Sequence, residues 1–153
     1  MAFIDIVRPL THTFDGNILG PDRAVRFVVR GDAGVLPAIV ATPLAVVVNE
    51  LLQNAVDHAY PLDLDLGTEG ASVVVGLEND GKSLTVEVAD DGVGPPPGFD
   101  LDASDGLGLS IVKALVRTEL DGTITLRVGN PSAGRPGTVV KIVVPVDAPR
   151  TSR

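Results

Sequence analysis

From Leu44 to Ala59 the apolar residues Leu44, Val47, Val48, Leu51, Leu52, Ala55, Val56 and Ala59 recur at helical spacing, and Pro61 stops the pattern. Thr42 followed by Pro43 offers an N-cap with proline at the first helical position, so a helix is expected from there to about residue 60. So long an apolar stripe needs a broad surface to cover. Phe, Tyr and Trp make up only 3% of the chain, so that surface has to be built from Val, Leu, Ile and Ala, which suits β-branched strands under an aliphatic helix.

The strands are visible on both sides of this helix. Residues 24–30 (AVRFVVR) are β-rich and end at Gly31-Asp32. Residues 71–77 (ASVVVGL) and 83–89 (SLTVEVA) read as strands joined through Asn79-Asp80-Gly81, a hairpin signal. Residues 123–128 and 138–144 give a second hairpin across the loop 129–137, and residues 107–120 resume helical spacing. Residues 3–14 carry Phe3, Ile6, Val7, Leu10 and Phe14 near helical spacing, with Pro9 expected to kink or delay a helix there. Residues 90–105, with Gly92, Gly94, Gly98 and three consecutive prolines, read as a long irregular loop. The expected fold is α+β: a two-layer sandwich with a mixed, mostly antiparallel sheet and helices on one face, in one domain of 153 residues.

Composition narrows the function classes. A net charge of −8 repels nucleic acid and anionic membranes, so an anionic ligand would have to be bound locally. The absence of cysteine removes disulfides and thiolate metal sites, and two histidines are too few for most zinc centres. No apolar run is expected to approach the ~20 residues of a membrane span, and the N-terminus does not read as a signal peptide, so a cytoplasmic chain is expected.

Three clusters could carry chemistry. Glu50 and Asn54, four apart, share a polar face of the strongest helix, and a carboxylate with an amide oxygen suits Mg²⁺, although the pair equally describes a solvated helix face. Asp90-Asp91-Gly92-Val93-Gly94 follows directly on a strand, placing an acid at the strand end and glycines where a backbone can approach a ligand. Gly106-Leu107-Gly108-Leu109 opens a helix whose unobstructed N–H groups would make a phosphate cradle. Neither a Walker loop nor a Rossmann fingerprint is present.

The ordered set, Glu-x-x-x-Asn, then Asp-x-Gly-x-Gly, then Gly-x-Gly, then Gly137-Thr138, resembles the GHKL ATPases, the group containing gyrase B, Hsp90, the histidine kinases and MutL. The resemblance runs from about Arg23 to Pro145 and implies the Bergerat fold. Residues 49–59 (NELLQNAVDHA) resemble the N box, 90–94 (DDGVG) the first glycine box and 106–112 (GLGLSIV) the second, in spellings similar to sensor histidine kinases. The segment from Leu36 (LPAIVATPLAVVVNEL) and the GFD at 98–100 resemble the HWE-type and PdtaS-like two-component kinases.

The resemblance implies an ATP-binding catalytic domain that, with Mg²⁺, supplies the γ-phosphate to a histidine on a separate dimerisation domain for relay to a response regulator. It implies Asn54 as Mg²⁺ ligand, Glu50 as the group positioning a water or the phosphates, Asp90 as the reader of the adenine amino group and Thr138 as its support. Gly92 and Gly94 would let the backbone pass the base, while Gly106, Leu107, Gly108 and Leu109 would border the phosphates. Residues 1–20 are then expected to be a linker or helix following the dimerisation domain, 21–146 the catalytic domain and 147–153 a disordered tail. A homodimeric full-length protein follows, and an isolated domain that does not phosphorylate itself.

One departure from the resemblance stands out: many such kinases carry Lys or Arg three residues after the N-box Asn, where this chain has Asp57. Lys113 or Arg117 is a candidate substitute, and His58 is expected to be a packed structural residue. Two alternatives remain at this point, an anti-sigma-factor serine kinase acting by binding sigma factor and an antagonist, and a degenerate regulatory nucleotide-binding module.

Overall fold

The computed structural model describes residues 2–14, 18–20, 23–60, 71–96, 98–101, 109–130, 132 and 134–146. The elements are α1 (Ile4–Phe14), β1 (Ile18–Gly20), β2 (Arg23–Asp32), α2 (Ala38–His58), β3 (Ala71–Asn79), β4 (Ser83–Asp90), α3 (Leu109–Ala114) running into a π-helical turn (Leu115–Glu119), β5 (Thr123–Val128) and β6 (Thr138–Pro145). Among the described residues the strands form one six-stranded sheet in the order β1-β2-β3-β4-β6-β5. Only β2 and β3 pair in parallel, with α2 as the crossover between them, and every other pair is antiparallel.

Alternation decides which face is covered. Val73, Val75 and Leu77 on β3, Leu84, Val86 and Val88 on β4, and Ile142 and Val144 on β6 are buried under the helices, whereas Val74, Gly76, Thr85 and Glu87 between them are not. Against that face α2 lays Val40, Ala41, Leu44, Val47, Val48, Leu51, Leu52 and Ala55. Phe3 at the head of α1 and Val7 within it are also fully buried. The result is the expected α+β sandwich, a mixed sheet with helices on one face.

The helix containing Asn54 starts earlier than its capping signals suggest. Pro37, extended at φ −65° and ψ 152°, is its N-cap, and its carbonyl accepts from the N–H groups of Val40 and Ala41, both at 2.9 Å. Pro43 therefore lies inside the helix, where it forgoes one backbone hydrogen bond. Burying Val40, at about 1.5–3 kcal/mol, together with Ala41 and Leu36, offsets most of the ~3 kcal/mol that an interior proline costs. By length and composition α2 is also apolar enough to span a bilayer, contrary to the expectation that no such run exists; here its apolar stripe is core.

Other differences are local. Pro9 is accommodated within α1. The strand β1, unforeseen, is three residues long. In the last helix Val112, Val116 and Leu120 are buried at four-residue steps, which drift around a regular α-helix. The wide turn, closed by Leu120 N–H donating to the Leu115 carbonyl at 3.0 Å, returns them to one side. The hairpin at residues 80–82 forms as expected, with Asp80 Oδ1 accepting from the N–H groups of Lys82 (2.9 Å) and Ser83 (2.8 Å). The tail 147–153 lies outside the described residues.

Candidate functional site

A cavity of about 500 Å³ opens between the C-terminal half of α2, the ends of β4 and β6, and the loop that follows β4. Its size lies within the usual range for small-molecule pockets. From α2 come Leu51, Asn54, Ala55, His58 and Ala59; from the sheet Val88, Asp90, Leu126, Thr138 and Val140. The loop contributes Val93, Gly94, Pro95, Pro96 and Phe99, and α3 contributes Leu109. The walls are aliphatic, with one carboxylate among them.

Strand alternation puts that carboxylate there. Leu84, Val86 and Val88 face the helices, so Asp90, two residues on, continues the same face at the point where the strand runs out and the helix layer opens. Its Oδ1 accepts from the N–H groups of Gly92 at 3.0 Å and Thr138 at 3.3 Å. No described residue bonds to Oδ2. Burial raises the Asp90 pKa from its ordinary 3.8 to about 6, against the opposing pull of those two backbone donors, and the charge of Asp91 adds to the rise. A partly buried acid with an open acceptor is suited to a donor on a ligand.

Glycines let the backbone close around it. A Cβ on Gly92 would run into the Ala59 carbonyl at the end of α2, where Val93 N–H also donates at 2.9 Å. Gly137, at φ +72°, sits so close to the Asp90 carbonyl that a side chain there is excluded.

Asp91 faces the other way. Its Oδ1 accepts from Tyr60 Oη at 2.7 Å and Ser72 N–H at 3.0 Å, and its Oδ2 lies 3.3 Å from Arg135 Nη2. The Asp91 N–H in turn donates to Tyr60 Oη at 3.2 Å. Burial, then the neighbouring Asp91 carboxylate, pushes the Tyr60 phenol well above its ordinary value, so it stays protonated and donates.

Of the residues singled out in the sequence, Asn54, Asp90, Gly94, Leu109 and Thr138 border this one cavity. Thr138 reaches Asp90 through its backbone N–H. Gly92 stands behind the wall, Glu50 lies one helical turn before Asn54 and outside the lining, and Gly106, Leu107 and Gly108 lie outside the described residues. His58, expected to be packed, is exposed and borders the cavity one turn beyond Asn54. Asp57 accepts from Gln53 Nε2 at 2.9 Å on the exposed side of α2 and does not line the cavity. Lys113 is buried and donates to the Leu101 carbonyl at 2.9 Å, and neither it nor Arg117 borders the cavity.

Sequence reasoning passed over Asp91, Tyr60 and Arg135. The signal for Asp91 was alternation itself, which turns it opposite to Asp90; nothing in the spacing foretold Arg135. For a divalent cation, the described residues contain no cluster of three His, Cys, Asp or Glu side chains. The Asn54 amide, without a described partner, and Glu50 one turn away match Mg²⁺ instead, which takes one or two protein oxygens and draws the rest from water and phosphate.

Comparison with known proteins places this geometry among relatives. Residues 39–148 match the family model described as histidine kinase-, DNA gyrase B-, and HSP90-like ATPase. Over 143 residues, 94% of the chain, it is 41% identical to the sensor histidine kinase PdtaS of Mycobacterium tuberculosis, and it is 32% identical over 134 residues to blue-light-activated histidine kinase 2 of Erythrobacter litoralis. It spans 26% and 34% of those two proteins. The solved histidine kinase domain of the blue-light-activated kinase from Erythrobacter litoralis superposes with a TM-score of 0.70 at 28% identity, covering 94% of this chain and 63% of that one.

Proposed function

Because the chain belongs to the histidine kinase-, DNA gyrase B-, and HSP90-like ATPase family, with the Bergerat sandwich of that group, we propose that its cavity binds ATP. In this reading the chain is the catalytic domain of a two-component sensor histidine kinase. The observation that carries the reading is Asp90, a carboxylate at the inner end of an aliphatic slot, with Oδ1 fixed by two backbone donors and Oδ2 left for a ligand donor.

Adenine offers what the slot accepts, a flat apolar body with an amino group at one edge. That amino group donates to Asp90, while Val88, Val140, Leu51 and Ala55 cover the ring. Gly92 and Gly94 let the loop pass the base, and Thr138 N–H steadies the carboxylate. The triphosphate then runs along α2 past Asn54, with Gly106, Leu107, Gly108 and Leu109 as the proposed phosphate border. Asn54, with Glu50 acting through water, would hold Mg²⁺, which offsets the phosphate charge.

In this reading residues 21–146 are the catalytic domain, and residues 1–20, expected as a lead-in from a dimerisation domain, pack onto it through Phe3 and Val7 and through β1 beside β2. The γ-phosphate goes to a histidine on that domain and from there to a response regulator, in a homodimeric, cytoplasmic protein. Positioning of the acceptor supplies much of the catalysis in phosphoryl transfer, so this chain alone binds nucleotide without phosphorylating itself. The test is calorimetric titration with Mg-ATP and Mg-GTP. Guanine presents a carbonyl oxygen to Asp90, so ATP should bind at least tenfold tighter, since an unpaired buried carboxylate costs upward of about 1.4 kcal/mol. Equal affinity for both would sink the assignment of Asp90.

A further inference from the structure

Asp91 lies outside the cavity, yet it gathers the elements on which the cavity rests. One carboxylate joins Tyr60, just past α2, to Ser72 near the start of β3, and both to Arg135 in the loop before β6. The Asp91 backbone is fixed as well, by its N–H on Tyr60 Oη. Asp90 shares a peptide bond with this anchored residue, so the backbone that carries its carboxylate toward Gly92 N–H and Thr138 N–H is held in place. Resting on the ATP reading above, we infer that Asp91 is a positioning residue for Asp90, and that its pairing with Arg135 adjusts the pH range, governed first by burial, over which Asp90 accepts the adenine amino group.

The Asp91–Arg135 pair is partly exposed, 24% for the arginine and 42% for the aspartate, so it contributes little to stability. Its leverage is on the neighbouring charge. Two adjacent carboxylates repel, which disfavours ionised Asp90, and the Arg135 guanidinium beside Asp91 offsets that repulsion. Among the described residues, the other titratable groups facing Asp90 are on α2 and just beyond it: His58, exposed on the cavity rim, and Tyr60, kept neutral by burial. The C-terminal side presents the Thr138 N–H from β6 and Arg135 from the preceding loop.

The experiment compares wild type, Asp91→Asn and Arg135→Gln by carboxyl NMR titration of Asp90 in the free chain and by the pH dependence of ATP affinity. Removing the Asp91 charge lowers the Asp90 midpoint and removing Arg135 raises it, each by about half a pH unit or more. Binding at pH 8 weakens in Asp91→Asn, where the anchor is altered, and holds within about threefold in Arg135→Gln, where Asp90 is ionised anyway. Midpoints that stay in place while both variants lose thermal stability overturn the inference, because packing alone would give that result. Arg135 is peripheral enough that its variant decides the electrostatic half should Asp91→Asn not fold. Opposite midpoint shifts in a chain that takes no adenine nucleotide would retain the electrostatic coupling and discard the ATP reading.

Discussion

Replacing Asp90 by asparagine separates the needs of the fold from those of the ligand. The amide keeps an oxygen for Gly92 and Thr138 but removes the charge. Burial lifts the Asp90 pKa from 3.8 to about 6, roughly two units, or ~3 kcal/mol at 1.36 kcal/mol per unit. A carboxyl with a raised native pKa gives stability that is present below the unfolded value and is lost as pH rises through the native one. At pH 7.5 that loss is complete, and Asp90→Asn recovers it. Against the gain stands the new amide N–H₂ without a described partner, costing about 1–3 kcal/mol. The free variant is therefore expected to range from unchanged to ~2 kcal/mol more stable, which at ~2–4 °C per kcal/mol is a melting temperature up to roughly 8 °C higher at pH 7.5. That advantage fades as the pH is lowered toward 4. ATP moves the other way: losing a hydrogen bond to a charged acceptor, about 1.5–3 kcal/mol, weakens binding roughly 10- to 150-fold. Differential scanning calorimetry across pH 4–8 and an ATP titration read both halves. A variant that is less stable at pH 7.5 and binds ATP like wild type would refute the reasoning, because Asp90 would then serve the fold.

Three further substitutions probe the surroundings. Asn54→Ala should leave the urea midpoint nearly unchanged, since its amide has no described partner, while the ratio of ATP affinities with and without Mg²⁺ falls toward one; a preserved ratio removes Asn54 as a metal ligand. Tyr60→Phe deletes the 2.7 Å donor to Asp91 and should cost about 1.5–3 kcal/mol in denaturant unfolding at pH 7, with no loss meaning that the Asp91 anchor is held by other groups. Pro43→Ala restores a backbone donor within α2 and should stabilise the chain by ~1–2 kcal/mol, the helical gain reduced by the greater freedom of the unfolded chain; destabilisation would mean that the proline ring itself packs in the core.

The parts of the fold legible in the sequence were those governed by one local rule. The hairpin at Asp80-Gly81 needs only its turn residues, and the alternation of β3 and β4 only a covered face. Asp90 could be placed because the same alternation runs straight into it. Local rules failed where tertiary burial outweighed them. The first turn of α2 forms on Pro37 because Val40 and Ala41 reach the core, although Thr42-Pro43 offered the better cap. His58 borders the cavity because α2 ends there beside the loop after β4, a fact of packing that its own spacing does not carry. Arg135 meets Asp91 across 44 residues of sequence, where no periodicity reaches.

The sheet order also bears on how the chain comes to have a site at all. Of the two donors that hold Asp90, one is two residues away and the other is on β6, 48 residues later. Strand β6 is also what places β5 in the sheet, since β5 pairs with β6. A chain emerging from the ribosome can therefore assemble α2 and the β3–β4 hairpin while Asp90 still lacks its second donor and the Thr138, Val140 and Leu126 wall. On the proposed reading, nucleotide would stabilise chiefly a molecule whose last strand has docked, so its contribution would come late in folding.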